Sequence, residues 1–141
     1  ELSNEAPMLQ ALLPVLVYRL AKTAPQLTKE ETVSSLFATA ALRDKFRELK
    51  VNVAPLTAFL ANSMAQVPFE DLKVQDLVDF FYSLAQTRTL PDDLLQRLVA
   101  LLVDELKLRK SFTTHNTYSL LYSIAMLQET CAHGKALELL P

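Results

Sequence analysis

The sequence predicts an all-α fold, an α-solenoid of about three helix–turn–helix repeats stacked in a right-handed superhelical sense. Three observations predict it. A single glycine in 141 residues leaves few positions for the tight turns of a hairpin-rich β protein, which need residues with φ > 0. Half of the residues are hydrophobic, which argues against disorder and supports a continuous core. A self-similar segment also recurs three times without gaps, anchored at Leu27, Leu72 and Phe112, at intervals of 45 and 40 residues.

The first unit opens with an amphipathic helix over roughly Leu9 to Lys22, with Leu12, Leu13, Leu16 and Leu20 on one face. Pro14 falls inside it and implies a helix that starts late or bends. The repeated segment 27–42 follows. A large apolar anchor precedes a polar turn whose Thr28 is a candidate N-cap, and Glu31 stands in the first helical turn where an acidic group suits the dipole. Then come a bulky pair, Leu36 and Phe37, and a small residue, Ala40, that lets a neighbouring helix approach. A link over Arg43 to Val53 leads to the second unit.

In that unit Pro55 opens a helix to Gln66 carrying Leu56, Phe59, Leu60 and Met64, with proline where a first turn tolerates it. Segment 72–87 repeats the pattern with Asp76, then Phe81 and Tyr82, then Ala85. The third unit places Leu94, Leu95, Leu98, Leu101, Leu102 and Leu106 on one face of a helix over Pro91 to Leu108. Segment 112–127 follows with Thr113 as candidate cap, Asn116, Leu121 with Tyr122, and Ala125. The repeats thus span approximately 8–44, 52–88 and 91–128, within one domain over 1–141. After Gly134, Lys135 to Leu140 reads as the opening of a further unit (129–141), as expected of a piece of a longer array, and the start at Glu1 suits a processed or partial chain.

The usual chemical motifs find little footing. With Gly134 as the one glycine, neither a GxGxxG loop nor a Walker A loop fits in this chain. His115 and His133 lack companion ligands at zinc spacing, and His115 reads as a solvated turn residue. Cys131 and His133 stand two apart near a helix end, a spacing that does not face a nucleophile to its base; Cys131 reads as a small buried hydrophobe and, being alone, suits a reducing compartment. Glu30–Glu31, Asp92–Asp93 and Asp104–Glu105 are adjacent pairs that point apart, suited to helix starts and a solvated face rather than to an acid–base dyad. No apolar run approaches the roughly 20 residues of a membrane span. No enzyme, cofactor, metal or small-molecule substrate is expected.

What remains are two basic clusters and a matched aromatic pair. Arg43, Lys45, Arg47 and Lys50 lie in the first link, against Asp44 and Glu48. Lys107, Arg109 and Lys110 lie in the turn of the third unit. They read either as a phosphate-contacting rim, which a net charge of −2 does not forbid, or as solvated charges at helix C-termini. Tyr82 and Tyr122 occupy the same repeat position. They read either as rings that stack bases or partner side chains, or, with more weight, as repeat-core packing with the hydroxyl at the surface.

Segment 27–42, Leu-Thr-Lys-Glu-Glu-Thr-Val-Ser-Ser-Leu-Phe-Ala-Thr-Ala-Ala-Leu, resembles the second helix of the octotricopeptide class of helical repeats, a grammar shared by heptatricopeptide repeats and the arrays that precede RAP domains. Asp76-Leu77 with Phe81-Tyr82-Ser83-Leu84-Ala85, and Leu121-Tyr122-Ser123-Ile124-Ala125, match the same pattern. The departures are Thr32 for Leu, and Asn116-Thr117 for Asp-Leu. The resemblance implies a mitochondrial (matrix) or other organellar protein that binds RNA, either rRNA or an organellar transcript, or that sits in a mitochondrial ribosome. The expectation is therefore a non-catalytic RNA-binding or ribosomal module. The rival is an α-solenoid scaffold that clamps protein subunits without touching RNA, and a third reading is an accessory domain of a larger enzyme.

Overall fold

The computed structural model describes residues 2–88, 92–108 and 112–130. Among these residues the chain folds into helices with no strand: α1 (Leu2–Thr23), α2 (Lys29–Ala41), α3 (Arg43–Glu48), α4 (Ala54–Ala65), α5 (Val74–Thr87), α6 (Asp92–Leu108) and α7 (Thr114–Thr130). A 3₁₀ turn at Ala24–Gln26 joins the first two. The all-α class follows, and each repeated segment folds as one helix: α2, α5 and α7.

Local chemistry sets the helix starts. Thr28 is extended, its hydroxyl accepts from the Glu31 N–H at 3.1 Å, and the Glu31 carboxylate accepts from the Thr28 N–H at 2.9 Å. Two otherwise orphaned donors are satisfied reciprocally. Thr113 and Asn116 repeat the device at α7, with an amide in place of the carboxylate. At α5 the corresponding cap position is Lys73, which makes no side-chain cap bond. Scarce glycine leaves its mark at the helix ends, where Lys50 (φ 58°) and Arg88 (φ 56°) take the left-handed conformation that glycine occupies at least cost.

The second helices of the units lie side by side, α5 between α2 and α7. Helix α4 packs on α2, α5 and α6, and α6 packs on α5 as well. The core runs between these helices, with Leu36, Leu60, Met64, Leu77, Leu84, Leu94 and Leu98 buried and Phe69 edge-on to Phe80 at 5.6 Å. Ala40 and Ala85 are buried where α2 and α5 meet their neighbours, whereas Ala125 is exposed on α7.

Several expected core positions differ. Helix α1 neither starts late nor stops at Pro14 but continues through it. Pro14 is exposed, so the carbonyl it leaves unbonded can be solvated. Of the α1 stripe, Leu20 packs on the core, while Leu12 and Leu16 are about half exposed (49% and 48%). The reason is placement: apart from the adjoining 3₁₀ turn, α1 makes few contacts with the rest of the fold. Phe59 on α4 and Leu106 on α6 are exposed as well. The Arg43–Val53 link is not plain loop but carries α3, pinned by the buried Phe46.

An aromatic row and a polar relay form the candidate binding face

Because α2, α5 and α7 keep their repeat register, residues aligned in sequence become neighbours in space. Phe37, Tyr82 and Tyr122 occupy one repeat position and form a continuous row. The Phe37 and Tyr82 rings lie 5.6 Å apart and tilted by 46°; those of Tyr82 and Tyr122 lie 6.3 Å apart and 25° from parallel. These separations are within the range of favourable aromatic pairing. The row lies at the surface: Phe37 is 38% and Tyr122 49% exposed, Tyr82 is half-buried, and its hydroxyl accepts from Gln86 Nε2 at 2.7 Å. The residue before each ring diverges, since Leu36 and Phe81 are buried while Leu121 on the flank of α7 is exposed. Core packing is therefore the job of the first member in the pairs of α2 and α5, whereas on α7 both Leu121 and Tyr122 face outward.

A groove of about 290 Å³ opens along the row, lined by Phe37, Asp79, Tyr82, His115, Tyr118, Ser119 and Tyr122. A hydrogen-bonded relay links α7 to α5 and ends at Asp79 of this groove. Asn116 Nδ2 donates to Gln75 Oε1 at 2.7 Å, and Gln75 Nε2 donates to Asp79 Oδ1 at 2.8 Å. Burial pushes the Asp79 carboxyl above the usual carboxylate range; the Gln75 hydrogen bond and His115 oppose the shift, and the neighbouring Asp76 adds to it. Among the described residues, no Lys, Arg or His pairs with Asp79.

The basic clusters sit elsewhere and are largely engaged. Arg43 Nη1 donates to the Gln86 carbonyl at 2.7 Å, tying α3 to the end of α5 where the helix dipole favours a cation. Lys45 pairs with Glu48 at 3.2 Å and Arg47 with Asp44 at 3.5 Å. Lys50 and Lys107 are exposed and pair with no carboxylate among the described residues. Arg109 and Lys110, and likewise Cys131, His133, Gly134 and the tail 135–140, lie outside the described residues.

Two cations not anticipated from the sequence stitch the units together. Arg97 on α6 donates to the carbonyls of Ala65 and Val67 at 3.0 and 3.1 Å, lies 4.3 Å from the Phe69 ring centroid and stands 3.8 Å from Glu70. Lys29 donates to Asp71 and to the Pro68 carbonyl, and this bond holds the Asp71 carboxyl below its usual range. Neither has a motif, because each partner lies about 30 to 40 residues away. Among the described residues no group of three metal-ligating side chains converges, and no helix is long and apolar enough to cross a membrane. No protein-family model, curated protein or solved structure matches the chain.

Proposed function

We propose that the chain is a non-catalytic helical-repeat module of an organellar, mitochondrial RNA-binding or ribosomal assembly, stacked as an α-solenoid of right-handed sense. The observation that carries this reading is the row Phe37–Tyr82–Tyr122. One ring per unit, presented in register on one face, is the surface that a repeat architecture builds for an extended partner. The resemblance to octotricopeptide-type repeats supplies the organellar setting, and the exposed cations Arg47, Lys50 and Lys107 supply phosphate contacts without a basic total charge. Ion pairs at exposed sites are worth little, so a phosphate can displace Asp44 from Arg47 at small cost.

A second reading, a protein-binding scaffold without RNA contact, is favoured by one observation: the groove along the row contains Asp79 and no Lys or Arg. Isolation of the full-length protein from its cells in mild salt, with and without ribonuclease, tests the two. Recovery of organellar rRNA or transcripts is expected, with binding that falls steeply as salt rises and weakens in Arg47→Glu and Lys50→Glu. A protein partner retained after ribonuclease, with the charge reversals silent, would replace the RNA reading with the scaffold reading.

A further inference from the structure

The groove along the aromatic row has an unusual composition for a surface otherwise able to bind an extended chain. Tyr82, Tyr118 and Tyr122 bring electron-rich rings to it, Phe37 adds a fourth, and Asp79 brings a carboxylate. Aromatic faces attract cations through the ring quadrupole, and a partly desolvated carboxylate without a counter-ion attracts them further. Asp79 receives a single side-chain hydrogen bond, from Gln75, which leaves its second oxygen open to a donor. The lining thus holds one carboxylate and no Lys or Arg, with His115 and Ser119 as its remaining members, and suits a cationic guest better than a phosphate.

The chain contains its own example of the complete arrangement. Arg97 places its guanidinium carbon over the Phe69 ring, 4.3 Å from the centroid, while its nitrogens serve two carbonyls and approach the Glu70 carboxylate. The groove repeats the ring and the carboxylate without the arginine. A guanidinium fits better than an ammonium here, because it is planar, weakly hydrated and able to stack on a ring while an edge nitrogen donates to the open carboxylate oxygen.

We infer that the groove between α5 and α7 is a docking site for an arginine side chain of a protein partner, stacked on the Tyr82–Tyr122 pair and paired with Asp79. This goes beyond the proposed module function: it assigns the aromatic row to a protein partner and leaves any RNA contact to the cations at α3 and its neighbours.

The test is a titration of the full chain followed by ring resonances of the tyrosines, with three probes: a short blocked peptide carrying one arginine, the same peptide with citrulline, and single-stranded oligouridine. The arginine peptide is expected to shift Tyr82, Tyr118 and Tyr122, and the neutral citrulline isostere to leave them in place. Asp79→Asn, which keeps an acceptor for Gln75, is expected to weaken arginine binding about fivefold or more, and Tyr122→Leu by a similar factor. Equal binding of citrulline, the absence of any shift, or an Asp79→Asn variant that binds arginine unchanged would overturn the inference. Oligouridine that moves the same resonances and binds tighter to Asp79→Asn would overturn it in favour of a base-stacking face. RNA binding that maps to Arg47 and Lys50 while the arginine peptide still shifts the tyrosines supports the inference, and arginine shifts without any RNA binding would overturn the RNA reading alone, so the two proposals fail separately.

Discussion

Asn116 holds two helices at once. Its backbone N–H and side-chain oxygen close the cap with Thr113, and its Nδ2 reaches across to Gln75 Oε1 at 2.7 Å. At 1% exposure it is among the most buried polar residues of the described chain, and these bonds offset the cost of putting an amide there. Asn116 thus both starts α7 and ties it to α5.

Removing it should be costly for a polar residue. Asn116→Ala loses a cap and the cross-helix bond, and is expected to destabilise the fold by about 2 kcal/mol. Gln75→Ala keeps the cap but leaves the Asn116 amide and the Asp79 carboxylate each short of a bond, and should cost about 1 kcal/mol. Urea unfolding followed by circular dichroism checks both, and equal costs would mean that the cap contributes nothing.

The row of rings should be energetically coupled. A double-mutant cycle on Tyr82→Leu and Tyr122→Leu is expected to return about 0.5–1 kcal/mol of interaction, the range for aromatic pairs beyond area burial. Independent single-mutant effects would show that the two rings are merely adjacent.

Left-handed lysine and arginine invite replacement. Lys50→Gly and Arg88→Gly relieve the Cβ clash at φ 58° and 56°, and each is expected to stabilise by about 0.5–1 kcal/mol after the extra unfolded-state entropy of glycine is counted. Alanine at the same sites should give no such gain, and thermal unfolding distinguishes the two series.

The pH dependence of Asp79 has a definite sign. Its folded-state carboxyl is raised above the ordinary value of 3.8, chiefly by burial, so the folded chain holds that proton more tightly than the unfolded chain. The associated stability is fully present below the unfolded value and is lost as pH rises through the folded one. Asp79→Asn is therefore expected to be more stable than the parent at neutral pH, with the difference shrinking as pH falls through the raised folded value and gone below about 4. A difference that stays constant from pH 7 to pH 3 would remove burial as the cause.

Much of the fold was legible because it rests on short-range patterns. Apolar spacing, Thr28 with Glu31, Thr113 as a cap, and Pro55 in a first turn all act within one or two helical turns. The threefold recurrence located α2, α5 and α7 and put Phe37, Tyr82 and Tyr122 at one position. Burial was less legible: Leu12, Phe59 and Leu106 satisfy an amphipathic pattern as well as Leu60 or Leu98 do, yet they stand exposed. Periodicity defines a face, whereas burial requires another element to lie against it.

By itself the sequence determined what each segment does locally: an all-helical chain, its helix starts, and a repeat register that must place like residues side by side. Tertiary structure decided which cations are engaged and which rings face outward. Arg43 found the Gln86 carbonyl, Arg97 found Ala65, Val67 and Phe69, and Asp79 came to share a groove with Tyr118 and Tyr122. Those pairings join residues about 30 to 40 positions apart. Hydrogen bonds and ring contacts act over a few ångströms, so no local pattern encodes them until packing brings the helices together.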